Sequence, residues 1–326
     1  MEVPHLHRQC RRPAARSGAG LVLFLALLLN AGAGDAREDQ ENAGRAPVVK
    51  SPAETFVIHK SVGPDTLMDI ARRYDFGFVE LRAANSGIDP WRAGEGREIV
   101  LPTLHLEPPL GDGAAVRRGI VVNLAEMRLY LFRGAGVPAM SFPIGIGREG
   151  WETPTGTTKI VRKRRDPVWV PPASIRARNP HLPAQVPPGP NNPLGAYALN
   201  LDWPSYVIHG TNKPDGVGRR VSHGCLRLYP EDIERLFNLV EVGTPVTVVD
   251  QPVKLAWLDD ALYLEVHPSQ AQAVQIELAG DFSPEPLPDL VGTIELFAAG
   301  RGAEIDWPLV AKTAQERRGV AVRISR

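Results

Sequence analysis

The sequence predicts a mainly β protein that also carries a small helical module and a short α+β extension. Three observations indicate this. The 326 residues include 31 prolines and 31 glycines, which favours turns between strands over long helices. Short apolar runs separated by turn residues recur from about residue 117 to 250. Helical spacing appears only in short stretches, at about 67–74, 78–85, 230–240 and 307–316.

The first 34 residues are typical of an export signal. Basic residues between Arg8 and Arg16 precede an apolar run, Leu21 to Leu29, and Ala31-Gly32-Ala33 supplies small residues for cleavage. The run is shorter than the roughly 20 residues that span a bilayer, so we expect no transmembrane span after cleavage. An uncleaved anchor is the alternative. Residues 35–54 are small and polar and are predicted to be a linker.

Residues 55–103 are predicted to form a module of order strand, helix, helix, strand. A short strand begins at Phe56, and Asp65-Thr66 caps a helix whose apolar residues recur at helical spacing. A second helix covers about 78–85, and the apolar run Ile99 to Leu101 closes the module as a strand.

The predicted β-domain covers residues 117–250. A helix opens at Pro230, should end at Gly243, and should pack on the sheet through one apolar face. The strands are predicted at about 120–122 and 128–132, which form a hairpin, and at 140–146, 159–161, 192–199 and 245–249.

Residues 166–193 contain nine prolines in 28 positions. A loop of this length in a compact domain is usually functional or disordered. We interpret it as a semi-rigid flap beside the active site, with Trp169 as an apolar wall; a passive surface loop is the alternative. The extension, residues 251–326, is predicted to contain a hairpin about Asp259-Asp260, a polar stretch, a helix capped by Asp306 and a last strand at 320–324.

The stretch from Tyr206 to Leu228 carries the chemistry. Cys225 is the only cysteine after the predicted signal, since Cys10 precedes the apolar run. A thiol attacks as thiolate, so it needs a nearby imidazole such as His209 or a backbone donor. A glycine beside the nucleophile, Gly224, lets backbone N–H groups approach a substrate and stabilise an oxyanion.

Several other interpretations of these residues remain open. Cys225 could be a small buried apolar residue, and His223 could be a structural histidine. Together with His209 the two could bind zinc, although no fourth ligand is visible. The pair Arg219 and Arg220 is either a solvated loop or binds an anionic peptide. The 37 basic and 37 acidic residues balance, so the basic patch of a nucleic-acid-binding protein is not expected.

The sequence His209-Gly210, a loop, and then Ser222-His223-Gly224-Cys225-Leu226-Arg227 resembles the L,D-transpeptidase (YkuD) catalytic domain. The resemblance implies a YkuD-type β-sandwich with a packed helix. It also implies that Cys225 is the nucleophile and that His209 is the general base and acid, oriented by a backbone carbonyl. Arg227 would support the loop or substrate carboxylates. The remaining residues expected to shape or bind at the pocket are Tyr206, Gly210, Ser222, His223 and Gly224.

The module at 55–103 is similar to a LysM module, which binds glycan strands of peptidoglycan. The matching positions include Asp65-Thr66-Leu67, Tyr74, Leu81 and Asn85. A folded spacer that has lost its ligand is the alternative. The tail, residues 251–326, is similar to that of the family branch that attaches outer-membrane lipoprotein to peptidoglycan, and we expect it to pack on the catalytic domain.

Together these resemblances imply a periplasmic, wall-associated enzyme that acts on peptidoglycan stem peptides through a cysteine thioester. The acceptor would be an amine of another stem or a lipoprotein lysine, and carbapenems should acylate the thiol. No cofactor or metal is expected. Two alternatives use other classes: an L,D-carboxypeptidase or lipoprotein-releasing hydrolase with the same residues, and a non-enzymatic cell-wall binding protein.

Overall fold

A computed structural model describes residues 55–109 and 118–326. The predicted export signal, residues 1–34, and the predicted linker, residues 35–54, lie outside the described residues. The described part of the chain forms fifteen strands and seven helices. None of those helices combines the length and apolar character needed to cross a membrane.

The N-terminal module has the predicted βααβ order. Its elements are β1 (Val57–Lys60), α1 (Leu67–Arg73), α2 (Phe78–Ala84) and β2 (Glu98–Leu101), with β1 and β2 paired antiparallel. Thr66 caps α1, because its hydroxyl accepts the Asp69 N–H at 3.0 Å and the Asp69 carboxylate accepts the Thr66 N–H at 3.2 Å. The Asn85 side chain donates to the Leu81 carbonyl and accepts the Val100 N–H at 2.7 Å, which joins α2 to β2.

The region from residue 118 to 249 is mainly β, as predicted. Its strands are β3 (Arg118–Asn123), β4 (Arg128–Arg133), β5 (Met140–Pro143), β6 (Ile146–Gly147), β7 (Gly156–Arg165), β8 (Tyr197–Leu201), β9 (Val207–His209), β10 (Arg220–Ser222), β11 (Leu226–Arg227) and β12 (Pro245–Val249). Eight of them form one sheet in the order β11-β9-β8-β7-β12-β3-β4-β5. Gly145, just after edge strand β5, exchanges backbone hydrogen bonds of 2.8 and 2.9 Å with Arg227 of the opposite edge strand. The sheet therefore curls until its two edges meet, and the curl encloses the core.

The prediction of one strand over 140–146 is wrong in one respect, because the structure has two strands there. β5 ends at Pro143, and β6 leaves the main sheet to pair in parallel with β10. The break falls at Gly145, where a Cβ atom would lie 2.2 Å from the Gly216 carbonyl oxygen. The chain crosses closely over another loop here, and only a residue without a side chain permits that approach.

The helix α3 (Pro230–Leu239) was predicted to pack on the sheet and does so. The helix is shorter than predicted, since it ends at Leu239 rather than Gly243. Val240 already has an extended backbone, and its side chain is buried. Ile233 and Leu236 are buried, and the Phe237 ring lies 4.9 Å from that of Tyr197 in β8. The apolar face that the sequence indicated therefore covers the sheet.

The N-terminal module shares its core with the β-domain. Phe78 and Leu81 belong to the same buried apolar cluster as Ile120 of β3. Glu80 of α2 forms a buried ion pair with Arg128 of β4 at 2.9 Å. Burial alone would raise the pKa of Glu80, but the charges of Arg128 and His105 lower it to about 2. The module is thus fastened to the β-domain by a shared core and a buried ion pair.

The proline-rich segment, residues 166–193, has a defined structure. It contains a short helix, α4 (Ala173–Arg178), which the sequence did not predict. Trp169 and Val186 exchange backbone hydrogen bonds of 3.0 and 2.8 Å near its base. The buried Asn192 amide donates to the Pro167 carbonyl at 2.6 Å and to the Pro187 carbonyl at 3.1 Å. One side chain therefore joins the two ends of the segment.

The C-terminal extension contains more helix than predicted. The hairpin of β13 (Val253–Leu258) and β14 (Ala261–Val266) is confirmed, and so is the Asp306 cap, which accepts the Leu309 N–H at 3.1 Å. The stretch after His267, predicted only as polar, instead holds two helices; the first begins with a capping box between Ser269 and Gln272. The helices and last strand are α5 (Gln270–Ala279), α6 (Leu290–Ala299), α7 (Trp307–Glu316) and β15 (Val322–Arg323), which is shorter than the predicted 320–324.

A buried charge cluster fixes the extension to the β-domain. The Lys254 ammonium of β13 lies 2.7 Å from the Glu126 carboxylate and 2.9 Å from that of Glu265. It also donates to the Leu106 carbonyl at 2.8 Å and to the Tyr130 hydroxyl at 3.2 Å. All three charged side chains are fully buried. The extension therefore packs on the β-domain, as expected.

Candidate active site

Two neighbouring parallel strands position the thiol and the imidazole. In the pairing of β9 with β11, Leu226 lies opposite Ile208 and Arg227 lies opposite His209. Leu226 and Ile208 are buried in the core. Since side chains alternate along a strand, His209 and Arg227 face the other side of the sheet, together with Cys225 two residues before Arg227. The thiol and the imidazole therefore lie on one face of this strand pair.

His209 is buried and its ring orientation is fixed by the backbone. Its Nδ1 lies 2.5 Å from the Gly210 carbonyl oxygen. A carbonyl only accepts, so Nδ1 carries the proton and Nε2 keeps its lone pair. Burial and the charge of Arg227 lower the pKa of the imidazole to about 3, although the hydrogen bond to Gly210 opposes the shift. The resting imidazole is a neutral base, oriented by a backbone carbonyl as the resemblance implies.

Cys225 is half-buried and also neutral. Its Sγ–H donates to the Ser205 carbonyl at 3.6 Å. Burial raises the pKa of the thiol above its ordinary value of 9.0, although the Val207 backbone and the charge of Arg227 oppose the shift. The site therefore holds a neutral thiol and a neutral imidazole in the resting state.

The alkylation rate of Cys225 should report this neutral resting state. We expect the rate with iodoacetamide to rise about tenfold per pH unit and to continue rising above pH 9, because only the thiolate reacts. The measurement is peptide mass spectrometry of the Cys225 peptide over pH 5–10, with N-acetylcysteine as the reference thiol. A rate that is already constant between pH 5 and 7 would instead indicate a preformed thiolate–imidazolium pair.

The loop before the thiol is braced from two sides. The buried Ser222 hydroxyl donates to the Cys225 carbonyl at 2.6 Å and accepts the Gly224 N–H at 3.1 Å. The Thr153 hydroxyl donates to the Gly224 carbonyl at 2.9 Å. The Gly224 N–H is thus engaged within the loop, and the expectation that backbone N–H groups beside Cys225 stabilise an oxyanion stays a prediction. The sequence analysis did not single out Thr153.

Glycine is required at two positions beside the reacting groups. Gly224 has φ +97°, and a Cβ there would lie 2.9 Å from Cε1 of the Tyr206 ring. Gly210 leaves no room either, since a Cβ would lie 2.9 Å from Cγ2 of Ile233 in α3. Tyr206 therefore packs against the loop that precedes Cys225, and Gly210 lets α3 approach His209.

His223 is held by neighbours that sequence analysis missed. Its Nε2 accepts a hydrogen bond from the Arg148 guanidinium at 2.9 Å, and its ring lies edge-on to Trp151 at 4.8 Å. Burial and the charges of Arg148, Arg227 and Arg178 lower the pKa of His223. This environment favours the structural interpretation of His223 over a proton-transfer role.

The proline-rich segment reaches this region through Arg178. The Arg178 guanidinium lies 4.9 Å from the centre of the Trp151 ring. Trp169, predicted as the apolar wall, pairs through its backbone with Val186, and its role as a wall stays a prediction. The segment contacts Trp151, beside His223, by a cation on an aromatic face.

Arg219 and Arg220 have a role that neither sequence interpretation anticipated. The Arg219 Nε donates to the Glu277 carboxylate of α5 at 2.8 Å, and its guanidinium lies 5.6 Å from the centre of the Phe78 ring. Arg220 donates to the Gln270 carbonyl at 3.1 Å. These arginines fasten the active-site loop to the extension and to the N-terminal module.

A potential metal-binding group of side chains occurs elsewhere in the described ranges. There, the only group of three or more potential ligands is Glu126, Glu265 and His267, so His209, His223 and Cys225 do not form one. The Lys254 ammonium contacts both carboxylates of that group at 2.7 and 2.9 Å. The charge that two carboxylates would offer a metal is therefore already balanced by lysine.

Comparison with known proteins places this geometry in a family. The L,D-transpeptidase catalytic domain (YkuD) matches residues 117–248. A probable L,D-transpeptidase, ErfK/SrfK of Salmonella typhimurium, is 39% identical over 284 residues, which cover 85% of this chain and 88% of the relative. A second, YbiS of Escherichia coli, is 38% identical over 262 residues, which cover 78% and 82%.

Among solved structures, L,D-transpeptidase 3 of Mycobacterium tuberculosis matches 42% of this chain and 61% of that structure, with 20% identity and a TM-score of 0.32. The two curated relatives are each more than 30% identical to this chain across most of both chains. The chain therefore belongs to the L,D-transpeptidase family, the cysteine-dependent acyltransferases of peptidoglycan.

Proposed function

We propose that this protein transfers a peptidoglycan tetrapeptide stem to an amine through a thioester on Cys225. The observation that carries the proposal is the placement of Cys225 and His209 on one face of the β9–β11 pair, with Nδ1 of His209 bonded to the Gly210 carbonyl. That bond leaves Nε2 as the proton acceptor, which a nucleophilic thiol requires.

In the first half-reaction, sulfur attacks the carbonyl on the L-centre of the diamino acid at stem position 3. His209 takes the thiol proton as the S–C bond forms, and the carbonyl oxygen becomes an oxyanion. When the oxyanion collapses, the bond to D-alanine breaks and His209 returns the proton to the leaving amine. Burial and the charge of Arg227 both lower the pKa of His209, and this favours return of the proton in this step.

In the second half-reaction, an acceptor amine attacks the thioester carbon. His209 takes a proton from the attacking nitrogen, the C–S bond breaks, and the proton returns to sulfur. The acceptor is the diamino acid amine of another stem, which gives a 3-3 cross-link, or a lysine of an outer-membrane lipoprotein. Water in the same position would give an L,D-carboxypeptidase or a lipoprotein-releasing hydrolase. No cofactor is needed, since the amide bond energy is retained in the thioester.

The location of the protein and its binding to glycan are proposed from the sequence. The export signal at residues 1–34 would deliver the protein to the periplasm, and the module at 55–103 would bind glycan strands as a LysM-like domain. An exposed aromatic supports the second point, since Trp91 is 62% exposed and its ring stacks on Phe78 at 5.9 Å. Carbapenems, which present a strained acyl group, would acylate Cys225.

Product analysis tests the reaction. The full chain is incubated with tetrapeptide-containing muropeptides, with and without lipoprotein as a competing acceptor, and the products are identified by mass spectrometry. We expect D-alanine release to match the formation of amine-linked product. Release of D-alanine with tripeptide as the only product, even with acceptor in excess, would establish the hydrolase instead. No release with any stem would contradict both.

A further inference from the structure

Three arginines lie near His223, beside Cys225, and the charges of all three lower the pKa of His223. Arg148 donates to His223 at 2.9 Å, and Arg178 lies over Trp151, whose ring contacts His223 at 4.8 Å. Arg227 follows the nucleophile by two residues and pairs with the base, His209, across β9 and β11. They come from the loop after β6, the proline-rich segment and β11. Only the fold brings them together.

The positive charge of this cluster is not balanced by protein carboxylates. Within residues 55–109 and 118–326, no ion pair joins Arg148, Arg178 or Arg227 to an aspartate or glutamate. The nearby Glu152 carboxylate instead accepts the Gly150 N–H at 2.7 Å. Like charges gathered in a partly buried site repel one another, so an anion that entered would be strongly favoured.

One atom of the cluster has no hydrogen-bond partner, and it indicates where a ligand would bind. The Arg227 Nε is buried and has no hydrogen-bond acceptor among the described residues. Buried donors are nearly always paired, because an unpaired one loses its hydration without compensation. This N–H belongs to the residue that lies opposite His209 in the strand pair and follows Cys225 by two positions.

We propose that Arg148, Arg178 and Arg227 form a subsite for a carboxylate of the acyl-donor stem peptide. The inference rests on the proposed function, since it names the feature of the donor that the site recognises. A guanidinium presents paired N–H donors that match the two oxygens of a carboxylate. A tetrapeptide stem offers two candidates close to the scissile bond: the C-terminal carboxylate of D-alanine and a carboxylate on the side chain of the diamino acid.

The proline-rich segment gains a function in this arrangement, since it supplies Arg178. Its two ends are joined by the Asn192 amide, which bonds to the Pro167 and Pro187 carbonyls at 2.6 and 3.1 Å. Proline restricts the conformations of the free chain, so less entropy is lost when the segment holds a ligand. Arg178 is thus presented by a loop that is ordered before the substrate arrives.

Arg178 is the most informative of the three to replace. Arg148 braces His223, and the Arg227 backbone joins the two edges of the sheet, so their loss would disturb more than binding. Arg178 is exposed and its guanidinium contacts the Trp151 ring. Arg176, exposed on the same short helix α4, provides a matched control.

The experiment measures kcat and KM of the full-chain enzyme on four synthetic tetrapeptide stems. The stems carry both carboxylates free, the C-terminal one amidated, the side-chain one amidated, or both amidated. For the free-acid stem we expect Arg178→Ala to raise KM about 10- to 100-fold with little change in kcat, since a charge-assisted pair is lost. Arg178→Lys should recover part of the loss, and Arg176→Ala should match the wild type.

The amidated stems identify the carboxylate. Arg178→Ala should have no further effect on whichever stem lacks the recognised carboxylate, because the partner is already absent. An equal loss on all four stems, or equal behaviour of the Arg178→Ala and Arg176→Ala variants, would overturn the subsite while leaving the proposed reaction intact. No turnover of any stem by the wild type would overturn the proposed function and the subsite with it.

Discussion

Replacing Cys225 by alanine is expected to lower D-alanine release by roughly 10⁴-fold or more, because removal of a nucleophile leaves only binding and electrostatic effects. The same variant should show no mass increase on incubation with a carbapenem or a tetrapeptide stem. Intact-protein mass spectrometry and D-alanine release measure the two effects. Both depend on one sulfur atom, so both should be lost together.

Two controls separate this chemistry from damage to the fold. Cys10→Ala, in the segment before the apolar run, removes the other cysteine and should leave turnover unchanged. The Cys225→Ala variant should keep its melting temperature within a few degrees, since the thiol makes one weak hydrogen bond, to the Ser205 carbonyl at 3.6 Å. Turnover retained by the alanine variant would rule out a thioester on this residue.

Replacing Lys254 by methionine is expected to destabilise the protein by about 3–5 kcal/mol. The substitution keeps the volume of the side chain but leaves Glu126 and Glu265 buried without a cation. For a chain of this size that free energy corresponds to a fall in Tm of roughly 6–20 °C. Thermal unfolding followed by circular dichroism measures it, with Lys312→Met as the control. Lys312 is 66% exposed and lies 3.9 Å from Glu316, so its replacement should change the stability by about 0.5 kcal/mol or less.

In the wild type, acidification should remove the stabilisation that the Lys254 cluster provides. Burial would raise the pKa of Glu265, but the charges of Lys254 and His267 lower it from 4.5 to about 2. A carboxyl whose pKa is lower in the folded state stabilises the fold above pH 4.5, and that contribution is lost as the pH falls towards 2. If Lys254→Met proves as stable as Lys312→Met, the buried cluster does not hold the extension in place.

The elements predicted correctly are those whose determinants are local. Thr66 and Asp69 lie three residues apart and cap α1 by themselves. The hairpin of β3 and β4 is encoded by two apolar runs and a short turn. The run at 140–146 contains Pro143 and Gly145, both signals of a break, and the sequence analysis passed over them. The close passage of Gly216 against Gly145 then fixes where the strand divides.

The residues of the candidate active site also divide into those with local determinants and those with tertiary ones. Cys225 and His209 lie in one motif, and the motif was sufficient to single them out. Arg148, Trp151 and Arg178 lie far from that motif in sequence, so only the curled sheet and the folded proline-rich segment bring them to it. Thr153 is also distant from the motif in sequence, and its hydrogen bond to Gly224 depends on tertiary placement.

The common core of the N-terminal module and the β-domain limits how the protein can meet a polymer. A domain on a flexible linker samples many positions, and the linker sets the effective concentration of the second site. Here Val79 donates to the Gly218 carbonyl at 3.1 Å, and Tyr229 donates to the Phe76 carbonyl at 3.1 Å, so the module cannot swing. Any glycan strand bound by the module would meet the thiol at one fixed distance from the binding site. Peptides at other intervals along that strand would stay out of reach, which adds a geometric filter to the chemical one.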